Sequence, residues 1–383
     1  MVVLLKKLIL LAVCVFGAFC FSVGAAADTA PQVTAKSAVL MNQDTGGILY
    51  AKDENTRRPM ASTTKIMTAL LTLESARANN RVVTITDAMV RVEGSSMGLL
   101  PGNRLSLKSL AAGMLTVSGN DAANSAAVAI SGSVSAFADR MNRRAKELGL
   151  KDTHFVTPSG LDNEDHYTTA RDLAALAAAA MKNPDFAKIA GSRQYNIEFV
   201  SPDQTRRFTN HNKLLSMYSG CTGVKTGFTK KSGRCLVSAA ERNGVRLVAV
   251  TLNAPDDWND HEKLLDYGFS QQEACPIDDS GCSVSVPVVG GTKESVTVRG
   301  SAGGSVILSK QQAAGLKRVV SMPKFLYAPV EAGRCVGTVR YTLEKKVLAE
   351  TRLVAGESVP KIVQSKNIWQ RFWENFIRFL RIQ

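Results

Sequence analysis

Histidine is scarce in this chain of 383 residues: only His154, His166, His211 and His261 occur, and they are scattered. No Cys/His cluster has zinc-ligand spacing, so neither a metal site nor a cofactor is expected. Cysteine is also thin. Of seven, Cys14 and Cys20 fall near the start, leaving Cys221, Cys235, Cys275, Cys282 and Cys335. An odd number forbids complete internal pairing. Two pairings stay open, Cys221 with Cys235 across a hairpin and Cys275 with Cys282 around a short loop, although sparse cysteines in a chain this long are more often buried thiols. Acidic residues are in deficit, 33 against 47 Lys and Arg, for a net charge of +14. There is no nucleic-acid motif, and a basic exported protein meets anionic membranes and walls. Long apolar runs are missing too, apart from Leu8–Phe21, which is short for a spanning helix.

That run has a context. Lys6 and Lys7 precede it with no acid, and Ala25-Ala26-Ala27 stands before Asp28. This is the layout of a secretory signal peptide over residues 1–27, with a retained anchor as the rival reading. A lipoprotein reading through Cys14 is disfavoured by the bulk of Val13. Without the two leader lysines the charge is +14 − 2 = +12. The protein is therefore expected outside the cytoplasm.

The length suggests about two domains at ~150 residues each. Ser37–Gln43, a DTGG turn and "ILYAK" read as a β-hairpin. Helical spacing marks 62–77, 105–114, 121–130, 135–148 and 169–181. "GVKTGFT", "GRCLVSAAE" and "RLVAVTLN" suggest an antiparallel meander. Near Cys275 the composition turns to Val, Thr, Ser and Gly, with strand-like pieces up to Val363 and one short helical piece, "KQQAAGLK". The expected class is α+β: an antiparallel sheet flanked by helices over 28–275, a β-sandwich over 276–363, and an amphipathic helix over 364–383.

The last piece puts Trp369, Phe372, Trp373, Phe376, Phe379 and Leu380 at helical steps, with Lys366, Arg371, Arg378 and Arg381 among the remainder. Residues 361–383 hold five cations and one acid, a net +4. An aromatic face beside a basic face suits a membrane interface, and the interspersed arginines disfavour a span. The bland alternative is a terminal helix packed on the protein.

One pairing calls for chemistry. In "ASTTKIMTALL", Ser62 stands three residues before Lys65, which is followed at once by an apolar run. A Ser hydroxyl needs a base within hydrogen-bond reach. Residues i and i+3 share a helix face, and burial or a second cation disfavours the ammonium, so a neutral Lys65 can take the proton from Ser62. The pattern recurs at Ser321–Lys324 and Ser358–Lys361, but there Pro precedes each Lys and forbids a regular helical turn. Ser118-Gly119-Asn120 follows 56 residues after Ser62, offering a second hydroxyl and an amide. Lys225-Thr226-Gly227 follows another 107 residues on, offering a cation, a hydroxyl and a Gly that permits close backbone approach. Singly these are an N-cap and a strand-end turn; together, on a helix start, a loop and a strand, they form one constellation.

That constellation resembles the penicillin-binding protein and β-lactamase superfamily. Within it the chain is similar to the low-molecular-mass penicillin-binding proteins, the exported D-alanyl-D-alanine carboxypeptidases. "VSGNDAAN", "TPSGLDNEDHYTTARDLA", "TNHNKLL" and "TGVKTGFTKKSGRCLVSAAERNG" carry the resemblance, and the second domain matches more loosely. It implies Ser62 as acyl-enzyme nucleophile, Lys65 as proton acceptor and Ser118 as proton shuttle. Asn120 would bind the peptide, Lys225 and Thr226 the terminal carboxylate, and Gly227 would let substrate lie along the strand. The backbone N–H groups of Ser62 and Phe228 would hold the oxyanion. It also implies peptidoglycan stem peptides as substrate, β-lactams as inhibitors, and a β-module that lifts the enzyme off the membrane. Relatives often carry Arg where His211 stands and Arg where Asp256–His261 stands, so the carboxylate is expected to find less cationic help here. The rivals are a β-lactamase and a non-catalytic β-lactam sensor or wall-binding protein.

Overall fold

A computed structural model describes residues 30–363 and 368–381. The expected leader, and the part of the tail at 364–367 and 382–383, lie outside the described residues.

The first region is organised by a five-stranded antiparallel sheet: β1 (Ser37–Asn42), β2 (Ile48–Lys52), β3 (Cys221–Thr229), β4 (Gly233–Arg242) and β5 (Val245–Leu252), in the order β2-β1-β5-β4-β3. The expected hairpin and meander are both present, and β1 joins them by pairing with β5. All six residues of β1 are buried, because both sheet faces are covered. Val39, Val237 and Val250 face a helical core; Leu40, Leu236 and Leu247 face a smaller core under a helix at Asp257–Gln271. Beta strands alternate sides, so the parity of each residue decides which core it enters.

The helical core is built from α1 (Lys65–Ala78), α2 (Leu107–Thr116), α3 (Asn120–Ser131), α4 (Val134–Glu147) and α5 (Ala170–Met181). Their starts follow from local chemistry. Ser106, Ser133 and Thr169 each accept a hydrogen bond from a first-turn backbone N–H, which satisfies one of the donors a helix start leaves open. The α1 region departs from expectation at its start. Ala61–Thr64 is a 3-10 turn, and the α-helix begins only at Lys65. In a 3-10 turn residues i and i+3 eclipse, so Ser62 and Lys65 are brought together more directly than an α-turn would bring them.

A further helix, α6 (Asp257–Gln271), was not legible beforehand. Its acidic first turn (Asp257, Asp260) and its Gly268 obscure the apolar spacing. Gly268 makes room there, since a Cβ would come within 2.6 Å of the Leu247 side chain and 2.7 Å of that of Leu40, and these would have to shift.

The second region is all β apart from Lys310–Ala314. A six-stranded sheet contains Ser283–Val289, Ser295–Gly300, Lys317–Ser321, Leu326–Tyr327, Cys335–Leu343 and Lys346–Ala355, and a two-stranded sheet pairs Gln272–Asp278 with Ala302–Ser309. They share a core of Ile277, Val286, Val296, Val298, Val339 and Leu353. The chain then ends in α7 (Ile368–Leu380).

Neither open cysteine pairing forms. Cys221 lies opposite Ala240 and Cys235 opposite Gly227, so the hairpin register holds them apart, and all five described cysteines are free thiols.

Candidate active site

The 3-10 turn, the loop before α3 and the edge strand β3 meet at one cleft of about 370 Å3. Ser62, Ser118, Thr226, Gly227 and Phe228 line it, with Ser95, His211, Lys213, Arg234, Asp257 and Trp258 around the remainder. Behind this wall lie the buried side chains of Lys65, Asn120 and Lys225.

Lys65 is wholly buried, and its Nζ lies 2.8 Å from Ser62 Oγ and donates to Ser159 O at 2.7 Å. Burial, then the nearby Lys225 charge, hold its pKa well below the ordinary 10.5, with Asp121 opposing. A neutral amine has a lone pair to offer the hydroxyl; an ammonium does not. Lys225 donates to Thr226 O at 2.8 Å, and burial lowers its pKa to about 7.

Two glycines let the backbone close around Ser62. A Cβ on Gly227 would stand 3.0 Å from Thr63 N and 3.1 Å from Ser62 N, so the bare glycine lets β3 lie against the Ser62 turn. The close approach expected of it is therefore first of all to the protein's own chain. Gly160 has φ +87°, and a Cβ there would lie 2.0 Å from Ala61 O. Ala61 and Ser118 themselves have positive φ, +48° and +61°, a costly conformation for residues with a Cβ that recurs at functional sites.

Asn120 opens α3. Its Nδ2 donates to Glu93 O at 2.6 Å, while its Oδ1 is buried with no protein partner. It is an unsatisfied acceptor just behind the cleft wall, a position that calls for a partner. The next residue, Asp121, accepts from Ser96 Oγ and from the N–H groups of Met97 and Leu99, tying the loop that carries Ser95 to the start of α3.

Several contributors have no motif. The Ser159 carbonyl holds Lys65 through a backbone atom, which leaves no mark on residue identity. His166 Nδ1 accepts from Val156 N at 3.0 Å, which places the ring proton on Nε2, 2.8 Å from Thr64 Oγ1; Thr64 Oγ1 donates to Ala61 O. Burial pushes His166 down to about 4, so it stays neutral while it clips the 154–168 loop to the Ser62 turn. Arg234 grips Asp257 with two N–H groups, Nε at 2.9 Å and Nη2 at 2.7 Å. Only the last group had a sequence signal, an Arg two strand positions from the turn that follows Lys225-Thr226-Gly227.

A hydroxyl against a buried amine whose pKa is pushed down, beside a second hydroxyl and a second lysine, is equipped for acyl transfer through a serine ester. The comparisons with known proteins agree with that class. Residues 24–256 match the family model described as D-alanyl-D-alanine carboxypeptidase, and 275–361 match the penicillin-binding protein 5 C-terminal domain. The chain belongs to the D-alanyl-D-alanine carboxypeptidase family, and it is a serine-type carboxypeptidase. It is 35% identical to the D-alanyl-D-alanine carboxypeptidase DacF of Bacillus subtilis over 85% of this chain and 86% of that one. With DacC of Escherichia coli it shares 32% identity over 90% and 88%. The solved penicillin binding protein 5 of Haemophilus influenzae superposes with a TM-score of 0.63 at 31% identity, covering 86% of this chain and 99% of that one. The Streptomyces K15 DD-transpeptidase superposes at 0.60 and 35% identity, with 63% of this chain spanning 99% of it.

Proposed function

We propose that this carboxypeptidase cleaves the terminal D-Ala from peptidoglycan stem pentapeptides through an ester on Ser62. The observation that carries the reading is the contact between Ser62 Oγ and the buried Lys65 Nζ at 2.8 Å. Lys65 takes the hydroxyl proton as Ser62 Oγ attacks the carbonyl carbon of the penultimate D-Ala. The oxyanion rests on the N–H groups of Ser62 and Phe228. Ser118 passes the proton to the departing D-Ala nitrogen, and water then hydrolyses the ester and restores Ser62. The substrate lies as an added strand along the free edge of β3, with Asn120 Oδ1 accepting a peptide N–H and Lys225 and Thr226 near the terminal carboxylate. β-Lactams acylate the same Ser62.

The division at residues 275/276, export, and a place at the outer face of the cytoplasmic membrane belong to the same proposal. Along α7, Trp369, Phe372, Trp373, Phe376 and Leu380 are all exposed, with Arg371 and Arg378 between them and Arg381 directly after. No described helix is long and apolar enough to cross a membrane, which fits a helix lying in the interface.

One experiment tests both parts. The wild-type chain and Ser62→Ala are incubated with a D-Ala-D-Ala pentapeptide, with labelled penicillin, and with phosphatidylglycerol vesicles. Free D-Ala and a long-lived penicillin adduct are expected from the wild type and neither from Ser62→Ala, while both proteins sediment with the vesicles. Rapid penicillin loss without D-Ala favours the β-lactamase; an adduct without turnover favours the sensor. A chain ending at residue 363 that still sediments with vesicles removes the anchoring role from α7.

A further inference from the structure

The structure assigns to Arg234, oriented by Asp257 and Trp258, the recognition of the free carboxylate that ends the peptide substrate. This rests on the reading of the cleft as a D-Ala-D-Ala carboxypeptidase site and names a residue that reading does not require.

The sheet register brings Arg234 to the cleft. On β3 and β4, Thr226 stands opposite Leu236 and Phe228 opposite Arg234. These four therefore share one sheet face, and Arg234 is the diagonal cross-strand neighbour of Thr226. Diagonal neighbours stand within reach of a long side chain. Lys225 and Gly227 have the opposite parity, and the missing Cβ of Gly227 points at the Ser62 turn. The cleft thus wraps the edge of β3, with the nucleophile on one side and Arg234 with Thr226 on the other. A carboxylate near the Thr226 hydroxyl falls within reach of the guanidinium.

The guanidinium is prepared for such a ligand. Asp257, almost fully buried at the start of α6, accepts Nε–H and Nη2–H through the single atom Oδ1. Nη1 and the second Nη2 hydrogen are left over, and the side chain is 42% exposed. Trp258 lies under the cation, 5.5 Å from ring centroid to Cζ, and fixes a second direction. A fork held on one side and stacked on a ring loses little freedom on binding, and its planar donors match a carboxylate. Among the described residues Asp257 is the only acid lining the cleft, against Lys213 and Arg234 on the wall and Lys225 behind it. The field therefore still favours an anion.

The Asp256–His261 stretch, where relatives often have an Arg, has instead an acid that orients an Arg arriving from the neighbouring strand. The shortage of cationic help expected from the sequence is made up by a different residue.

The test compares two peptides that differ only at the end, one with a free D-Ala carboxylate and one with D-Ala carboxamide. The ratio of their kcat/KM values is measured for the wild type, Arg234→Gln, Arg234→Lys and Asp257→Asn. Charge-assisted hydrogen bonds of this kind are worth about ten- to hundredfold. Arg234→Gln is expected to lower the acid-to-amide ratio by that factor, Arg234→Lys to restore part of it, and Asp257→Asn to lower it by a smaller factor. Turnover of the amide reports that each variant is folded. An unchanged ratio in Arg234→Gln, or an equal fall on both peptides, overturns the assignment. An unchanged ratio in Asp257→Asn overturns the orienting role. Failure of the wild type to release D-Ala from the free acid would instead overturn the underlying reading of the cleft.

Discussion

The catalytic region and the β-region bury charge in opposite ways. In the β-region the buried acid is Asp279, and it is fully matched. Arg318 Nε donates to it at 2.7 Å and Thr351 Oγ1 at 2.5 Å. These bonds hold its pKa low in spite of burial. The catalytic region also buries acids, Asp121, Asp172, Asp257 and Asp260, and they too are hydrogen-bonded, but its two buried cations, Lys65 and Lys225, have no carboxylate partner among the described ion pairs. Burying an unpaired ammonium costs several kcal/mol unless it gives up its proton. The first arrangement stabilises a fold; the second costs stability and leaves an amine whose proton is weakly held. The linkage has a definite sign. A lysine whose folded pKa is depressed takes up protons on unfolding, so its cost appears as pH falls below the ordinary 10.5 and, for Lys225, is complete below about 7.

Matched substitutions in the two regions sharpen the contrast. Lys65→Met should slow penicillin acylation by about 10^3–10^4-fold, the upper range for removing a general base. Lys293→Met, which breaks the exposed pair with Glu357 in the β-region, should leave acylation within about twofold and change stability by no more than about 0.5 kcal/mol. Stopped-flow acylation and thermal melts read both. A comparable loss from the two variants would erase the distinction. A smaller contrast is expected between two glycines of equal φ, +87°. Gly160→Ala meets the Ala61 carbonyl and should cost roughly 2–5 kcal/mol, whereas Gly304→Ala meets nothing within 4 Å and should cost roughly 1–2 kcal/mol of conformational strain alone. Equal melting shifts would show that the packing around Ala61 is looser than the geometry implies.

The placement of the candidate site was legible where it depends on residue type at a fixed local spacing. Ser62 with Lys65, Ser118 with Asn120, and Lys225 through Gly227 each announce themselves on one element, and the resemblance joined them across the chain. The hairpin, the meander and four of the helices were read within a few residues, because apolar periodicity and capping residues are local. Three things were not. The 3-10 geometry at Ala61–Thr64 depends on Gly160 and Gly227 packing against it from distant segments. The Ser159 carbonyl acts through the backbone. Arg234 and Asp257 are 23 residues apart and meet only because β4 and α6 are neighbours. Tertiary contacts of that kind leave no periodic trace.

The central claim is that burial and the neighbouring Lys225 charge hold the Lys65 pKa well below its ordinary 10.5, which eases loss of its proton. It is most directly tested by NMR titration of the chain with 13Cε-labelled lysine, the Lys65 resonance being assigned by its loss in Lys65→Met. A transition well below the ordinary value of 10.5 is expected, and a transition at that ordinary value would contradict it.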